Sequence, residues 1–136
     1  MRIAAYLLAA GLAACTIRMS GVQAAEAALT GAWLQGGLAC EDVFARAGKA
    51  VTFKKPVNIF APAFIISGDR LRTPQASCRI KRVKAAGERR TLTLGCATTI
   101  SVGEVTALLG VAENGTLRRY FDDKDQSGSS YNRCNL

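Results

Sequence analysis

The last loop of the chain, Phe121-Asp122-Asp123-Lys124-Asp125-Gln126-Ser127-Gly128, contains the spacing D-x-D-x-S-G. Side-chain oxygens at positions one, three and five followed by glycine at six are the first half of an EF-hand calcium loop. Asp123, Asp125 and Ser127 are therefore the candidate cation ligands. The other half is missing: position twelve falls on Cys134, which has no bidentate carboxylate, and the flanking segments alternate like strands. The competing reading is a hydrated turn in which Gly128 supplies backbone freedom. Calcium is the only cofactor the residues suggest, and weakly so.

A second group of residues suggests charge recognition. Arg79, Lys81, Arg82, Lys84, Arg89 and Arg90 fall within twelve residues, with Glu88 the lone acid among them, and Lys54-Lys55, Arg70, Arg72 and Arg118-Arg119 add to the surplus. Such a run fits an anionic surface or an acidic protein, or else keeps a hairpin tip soluble. Single-strand nucleic-acid grooves interleave basic side chains with stacking aromatics. No aromatic lies between Phe64 and Tyr120, so nucleic acid is not an expected partner.

Absent groups narrow the chemistry further. The chain has no histidine, which removes the histidine general base and the triads built on it. The segment Gly36-Gly37-Leu38-Ala39-Cys40 has neither the spacing nor the lysine of a phosphate-binding loop. The carboxylates of Asp122–Asp125 lie on one loop, whereas a glycosidase pair needs acids on opposite walls of a cleft. No enzyme is expected.

The N-terminus gives the compartment. Arg2 precedes an apolar run from Ile3 to Cys15, too short for the ~20 residues that span a bilayer. A basic start, a short apolar core and a small-residue exit form an export signal, 1–24, with cleavage after Ala24. Leu12-Ala13-Ala14-Cys15 offers a rival, a lipobox in which Cys15 is acylated and tethers the protein to the outer membrane. Contact with a membrane is expected only through that anchor. Residues 25–29 read as a linker and 30–136 as one domain. Loss of Arg2 and Arg18 with the signal leaves 16 basic and 10 acidic side chains, a net charge of +6. Four cysteines remain, Cys40, Cys78, Cys96 and Cys134, with no C-x-x-C pair. In a periplasmic or secreted protein they read as two disulfides.

These groups must be positioned by short strands. Turn signals at Gly68-Asp69, Ala86-Gly87 and Asn114-Gly115 separate apolar-alternating runs, and the last is a strong hairpin signal. About eight strands in meander order predict a mainly β, small antiparallel barrel. One segment departs from this pattern. Cys40, Val43, Phe44 and Ala47 fall at i, i+3, i+4 and i+7, which predicts a short helix over 40–47 after the first strand. Residues 49–62, with Pro56 and Pro62, read as irregular. A hairpin tip at Gly87 pairs Ile80 with Leu94 and Cys78 with Cys96 and puts them with Leu92 on the core face. A Cys78–Cys96 bridge with Cys40–Cys134 left over fits this register. Bridges from Cys40 or Cys134 into the same face fit it equally.

Gly31-Ala32-Trp33 resembles the G-x-W signature on the first strand of lipocalins and other calycins. The resemblance implies a lipocalin-like barrel with Trp33 near its closed end and a basic residue from near the C-terminus over the ring. By position that residue is Arg133, and a cation–π contact is the physical reason. The chain lacks the family's T-D-Y motif, and its helix follows the first strand. Small exported barrels of this size also resemble bacterial inhibitors of lysozyme and secreted proteases. The full pattern of G-x-W, Cys40-x-x-Val43-Phe44, two central cysteines and Tyr131-x-Arg133-Cys134 is similar to small exported alphaproteobacterial proteins of uncharacterised function.

Three functional expectations follow. The first is a non-catalytic periplasmic binding module for a small apolar or anionic ligand, with a cavity lined from Ile80, Leu92, Leu94 and Leu108. The second is an inhibitor of an acidic envelope or secreted hydrolase acting through the basic hairpin. The third is a structural envelope lipoprotein held by Cys15.

Overall fold

A computed structural model describes residues 27–136; the expected export signal, its expected cleavage point after Ala24 and the lipidation candidate Cys15 lie outside the described residues. Among the described residues, helical residues 27–29 precede ten strands and a helical turn in this order: β1 Gly31–Gln35, α1 Cys40–Val43, β2 Phe44–Ala47, β3 Ala50–Phe53, β4 Ala63–Ser67, β5 Arg70–Arg72, β6 Ser77–Ala86, β7 Arg89–Ala97, β8 Val102–Val111, β9 Leu117–Tyr120 and β10 Ser129–Cys134. Eight of the strands close into an antiparallel barrel in the order β1-β10-β9-β8-β7-β6-β5-β4. The meander barrel read from the sequence is therefore present, closed by β1 pairing with both β10 and β4. Closure leaves the barrel no free sheet edge.

Period-two alternation sorts the side chains. Trp33, Phe64, Ile66, Leu71, Cys78, Leu92, Leu94, Leu109, Leu117 and Tyr131 point inward and form the barrel core together with Leu29. The neighbouring positions Ala32, Leu34, Ala63 and Ile65 point outward and yet are buried. They are covered by the excursion between β1 and β4, which lays Val43, Phe44, Phe53 and Ala61 across the outer wall as a second core. The Cys40–Cys134 disulfide, the Arg46 Nε to Leu136 carbonyl bond (2.8 Å) and the Arg72 to Val51 carbonyl bond (2.9 Å) fasten that cover.

This excursion corrects one expectation. The helix over 40–47 stops at Val43, and Phe44–Ala47 is a strand paired with Ala50–Phe53. The i, i+3, i+4, i+7 spacing was present, but Phe44 gains more by stacking on Phe53 across the hairpin, with ring centroids 5.6 Å apart. Residues 50–53, read as irregular, are the other half of this hairpin. Its turn is Gly48-Lys49. Three two-residue turns in the chain, at Gly48, Gly68 and Gly87, place glycine first with φ near +60°. That conformation is open to glycine and strained for side chains with Cβ.

The long β6–β7 hairpin carries a second correction. Its turn is Gly87-Glu88, with Ala86 opposite Arg89, one residue away from the expected register. A bulge between Ile80 and Arg82 leaves Lys81 unpaired and restores the expected partners below it, Ile80 with Leu94 and Cys78 with Cys96. The inward phase changes across the bulge from Cys78 and Ile80 to Val83. The disulfides are Cys78–Cys96 and Cys40–Cys134. Two such bonds fit an oxidising, exported compartment. Among the described residues no helix is long and apolar enough to cross a membrane.

Candidate binding site

The two ends of the barrel differ. At one end, Trp33 is fully buried and its indole N–H donates to the Leu29 carbonyl at 2.8 Å. Arg133 stands directly opposite Trp33 in the β1–β10 register, and its guanidinium carbon lies 4.3 Å from the centroid of the indole ring. The same guanidinium donates to the carbonyls of Ala28 (2.9 Å) and Thr30. Close approach is possible because Gly31 has no side chain: a Cβ there would lie 2.5 Å from Arg133 Nη1. Trp33, Leu29 and Arg133 thus seal this end. The G-x-W spacing acts through both of its fixed residues, the glycine making room for the arginine that covers the tryptophan.

The opposite end is open. The turns 73–76 and 98–101 border a cavity of about 340 Å³. Phe64 and Leu71 form one side, Leu94 and the Cys78–Cys96 disulfide the floor strands, and Val105, Ala107 and Leu109 the other side. These residues reach the cavity because they hold the inward phase of β4 to β8, near the ends at which those strands leave the barrel. Of the four side chains expected to line a cavity, Leu94 alone does so. Leu92 is packed solid in the core, Ile80 stops short of the mouth, and Leu108 faces outward beside Tyr120.

One charged side chain lines this cavity, and it is Arg119. In β9, Leu117 is fully buried inside the barrel, so the alternation carries Arg119 to the same side and Arg118 to the outside. Among the described residues the Arg119 guanidinium has no carboxylate and no side-chain hydrogen-bond partner. Sequence reasoning counted Arg118-Arg119 together as surface charge and missed this. The signal was available: a hairpin at Asn114-Gly115 with Leu117 inward fixes the phase of the next two residues.

Outside the barrel a groove of about 380 Å³ is lined by Arg89, Arg118 and Tyr120. Its cations are already engaged. Arg89 stacks 3.6 Å from the centroid of the Tyr120 ring and donates to the Asp125 carbonyl at 2.7 Å, and Arg118 donates to the Ser127 carbonyl at 2.6 Å. Both arginines therefore brace the 121–128 loop.

The structure divides the basic hairpin. Arg79 pairs with Asp69 (3.1 Å) and Lys81 with Glu104 (3.0 Å), in exposed ion pairs of small energetic weight. Arg82 and Lys84 are exposed, with no ion pair among the described residues. Arg89 turns to Tyr120. Arg90 shares the inward phase of β7 with Leu92 and lies beside Ala28 and Leu29 at the sealed end. The six residues expected as one patch are therefore not a single surface.

The acidic loop is folded on itself. Asp125 Oδ1 accepts from the amides of Gly128 (2.9 Å) and Ser127 (3.1 Å) and from the Ser127 hydroxyl (3.3 Å), while Oδ2 accepts from the Phe121 amide at 3.0 Å. Asp122 Oδ1 accepts from the amides of Lys124 and Asp125. The Gly128 amide chiefly, then that of Phe121, lowers the Asp125 carboxyl to about 2. Asp125 and Ser127 thus meet each other, and Asp123 is not brought to them. Among the described residues no three histidine, cysteine or acidic side chains converge as a metal site.

Comparison of the chain with protein-family models, with curated proteins and with solved structures finds no match.

Proposed function

We propose that this protein is a non-catalytic binding module of the periplasm or extracellular space, holding a small apolar ligand in the open mouth of its barrel. The cavity of about 340 Å³ at one end of an otherwise solid core carries this reading. Ligand sites of small proteins are concave, mostly apolar clefts of roughly 300–1,000 Å³. The β7–β8 turn supports it: Thr98 lines the cavity, and Ile100 in the same turn is 94% exposed. An exposed apolar side chain beside a cleft extends its contact surface. The self-capped carboxylates of the 121–128 loop are read as a structural turn, with no resident cofactor.

The test is native mass spectrometry of the protein recovered from its own envelope, beside an Ala107→Trp variant that fills the mouth. A small-molecule adduct on the native protein and its loss in the variant are expected. A bare native protein that also fails to take up added 1-octanol would sink the reading.

A second reading, binding to an acidic envelope hydrolase as its inhibitor, draws on the unpaired cations Arg82 and Lys84 beside Arg79 and Lys81. Reversal of Arg82 and Lys84 to glutamate should then abolish a salt-sensitive association. Inhibition that survives the reversal would remove that reading.

A further inference from the structure

The mouth is mostly apolar, with the hydroxyls of Thr73, Thr98 and Thr106 and one permanent cation, and among the described residues that cation is uncommitted. Arg118, the next residue, donates to a backbone carbonyl; Arg89 lies on a tyrosine and Arg133 on a tryptophan. Arg119 projects from the same sheet into the rim between the main cavity and a second hollow lined by Ile59, Phe64, Pro74 and Tyr131, and meets no acceptor among the described residues. A guanidinium at the edge of an apolar cleft has five donors in a planar fork whose geometry matches a carboxylate. No second cation lines the cavity to balance a phosphate dianion.

We infer that the ligand is a monocarboxylate amphiphile, with its carboxylate on the Arg119 guanidinium at the rim and its apolar tail directed down to Leu94, Leu71 and Phe64. This assignment rests on the mouth being a ligand site and adds the chemistry of the ligand. Size follows from the cavity. At the ~30 Å³ that one water occupies in the liquid, 340 Å³ holds roughly ten non-hydrogen atoms. An eight-carbon acid is of that size. The head at the rim stays partly hydrated, which avoids the penalty of burying a charge outright, while the tail replaces water along the disulfide and the leucines. The exposed Ile100, in the turn whose Thr98 lines the cavity, would continue the apolar path outwards for a tail longer than the cavity.

The experiment is isothermal titration of the mature protein with octanoate and, separately, with 1-octanol, which differ in the head alone. Wild type, Arg119→Met, Arg119→Gln and Arg118→Met are compared, each first shown to have the native Trp33 emission. A charge-assisted, bidentate contact predicts that octanoate binds wild type and Arg118→Met at least about tenfold more tightly than octanol. Both Arg119 variants should bring that ratio to about one. Equal binding of acid and alcohol by wild type, or a preference that persists without Arg119, overturns the carboxylate assignment and leaves the mouth as an apolar site. Failure of both compounds to bind at millimolar concentration overturns the mouth itself, and the assignment with it.

Discussion

Replacing Gly31 by alanine should unsettle the sealed end of the barrel twice, and a double-mutant cycle with Arg133→Ala separates the two effects. Gly31 has φ +144°, a conformation that residues with Cβ rarely adopt, and an alanine there costs about 2 kcal/mol, within the ~1–3 kcal/mol of strained backbone positions. Its Cβ would also lie 2.5 Å from Arg133 Nη1. The arginine is long and flexible, so it would swing away and give up the Trp33 ring and the carbonyls of Ala28 and Thr30. Those contacts together are worth about 2 kcal/mol, from a cation–π contact of ~0.5–2 kcal/mol and partly exposed charge-assisted hydrogen bonds. Gly31→Ala should then cost about 4 kcal/mol, Arg133→Ala about 2, and the double variant about 4 rather than about 6, because the arginine's contacts can be lost only once. Urea unfolding followed by fluorescence measures this directly, since Trp33 is the sole tryptophan and sits at the perturbed point. A loss of 2 kcal/mol moves the midpoint by about 1 M at an m-value of ~2 kcal/mol/M. Costs that add to within ~0.5 kcal/mol would refute the close approach, and a harmless Gly31→Ala would refute the backbone argument as well.

Three further outcomes are expected. Removing the Cys40–Cys134 bond, which spans 94 residues, should destabilise more than removing Cys78–Cys96, which spans 18. Loop entropy gives about 4.7 and about 3.2 kcal/mol, so chemical denaturation of the two double-alanine variants should rank them in that order, and the reverse order would show that strain or packing dominates. Because Asp125 is lower in the folded chain than its usual ~3.9, it stabilises the 121–128 loop fully above that value and ceases to do so as pH falls through about 2. The amide shifts of Gly128 and Phe121 should accordingly move together with a midpoint near pH 2; a midpoint near 4 would mean that those amides do not hold the carboxylate. Finally, the denatured mass of the exported protein should equal residues 25–136 less four hydrogens, for two disulfides. A lipid-bearing chain beginning at Cys15 would contradict cleavage after Ala24.

Local order in the barrel was legible because strands and turns are local. Glycine-led turns and alternating apolar residues announce hairpins without reference to the rest of the molecule. The β6–β7 pair shows the limit. The expected tip was one residue off, and the register that sets Cys78 opposite Cys96 nevertheless came out right, because the Lys81 bulge shifts it back by one residue. A bulge leaves little sequence signal, since it answers the curvature that barrel closure demands. The helix over 40–47 failed for a related reason. Its spacing satisfies a helical face, but Phe44 finds Phe53 only when the excursion folds back over the outer wall of β1 and β4.

Composition and spacing by themselves determined a histidine-free chain with four cysteines after residue 24, and most of its strands and their turns. All of these depend on residue identity or on neighbours a few positions apart. Only the tertiary structure decided which end of the barrel is sealed, which disulfide ties the cover to the last strand, and that Arg119 faces the cavity while Arg118 faces away. These depend on how distant strands close on one another, and closure sets at once the inward phase of each strand and the place where the core runs out.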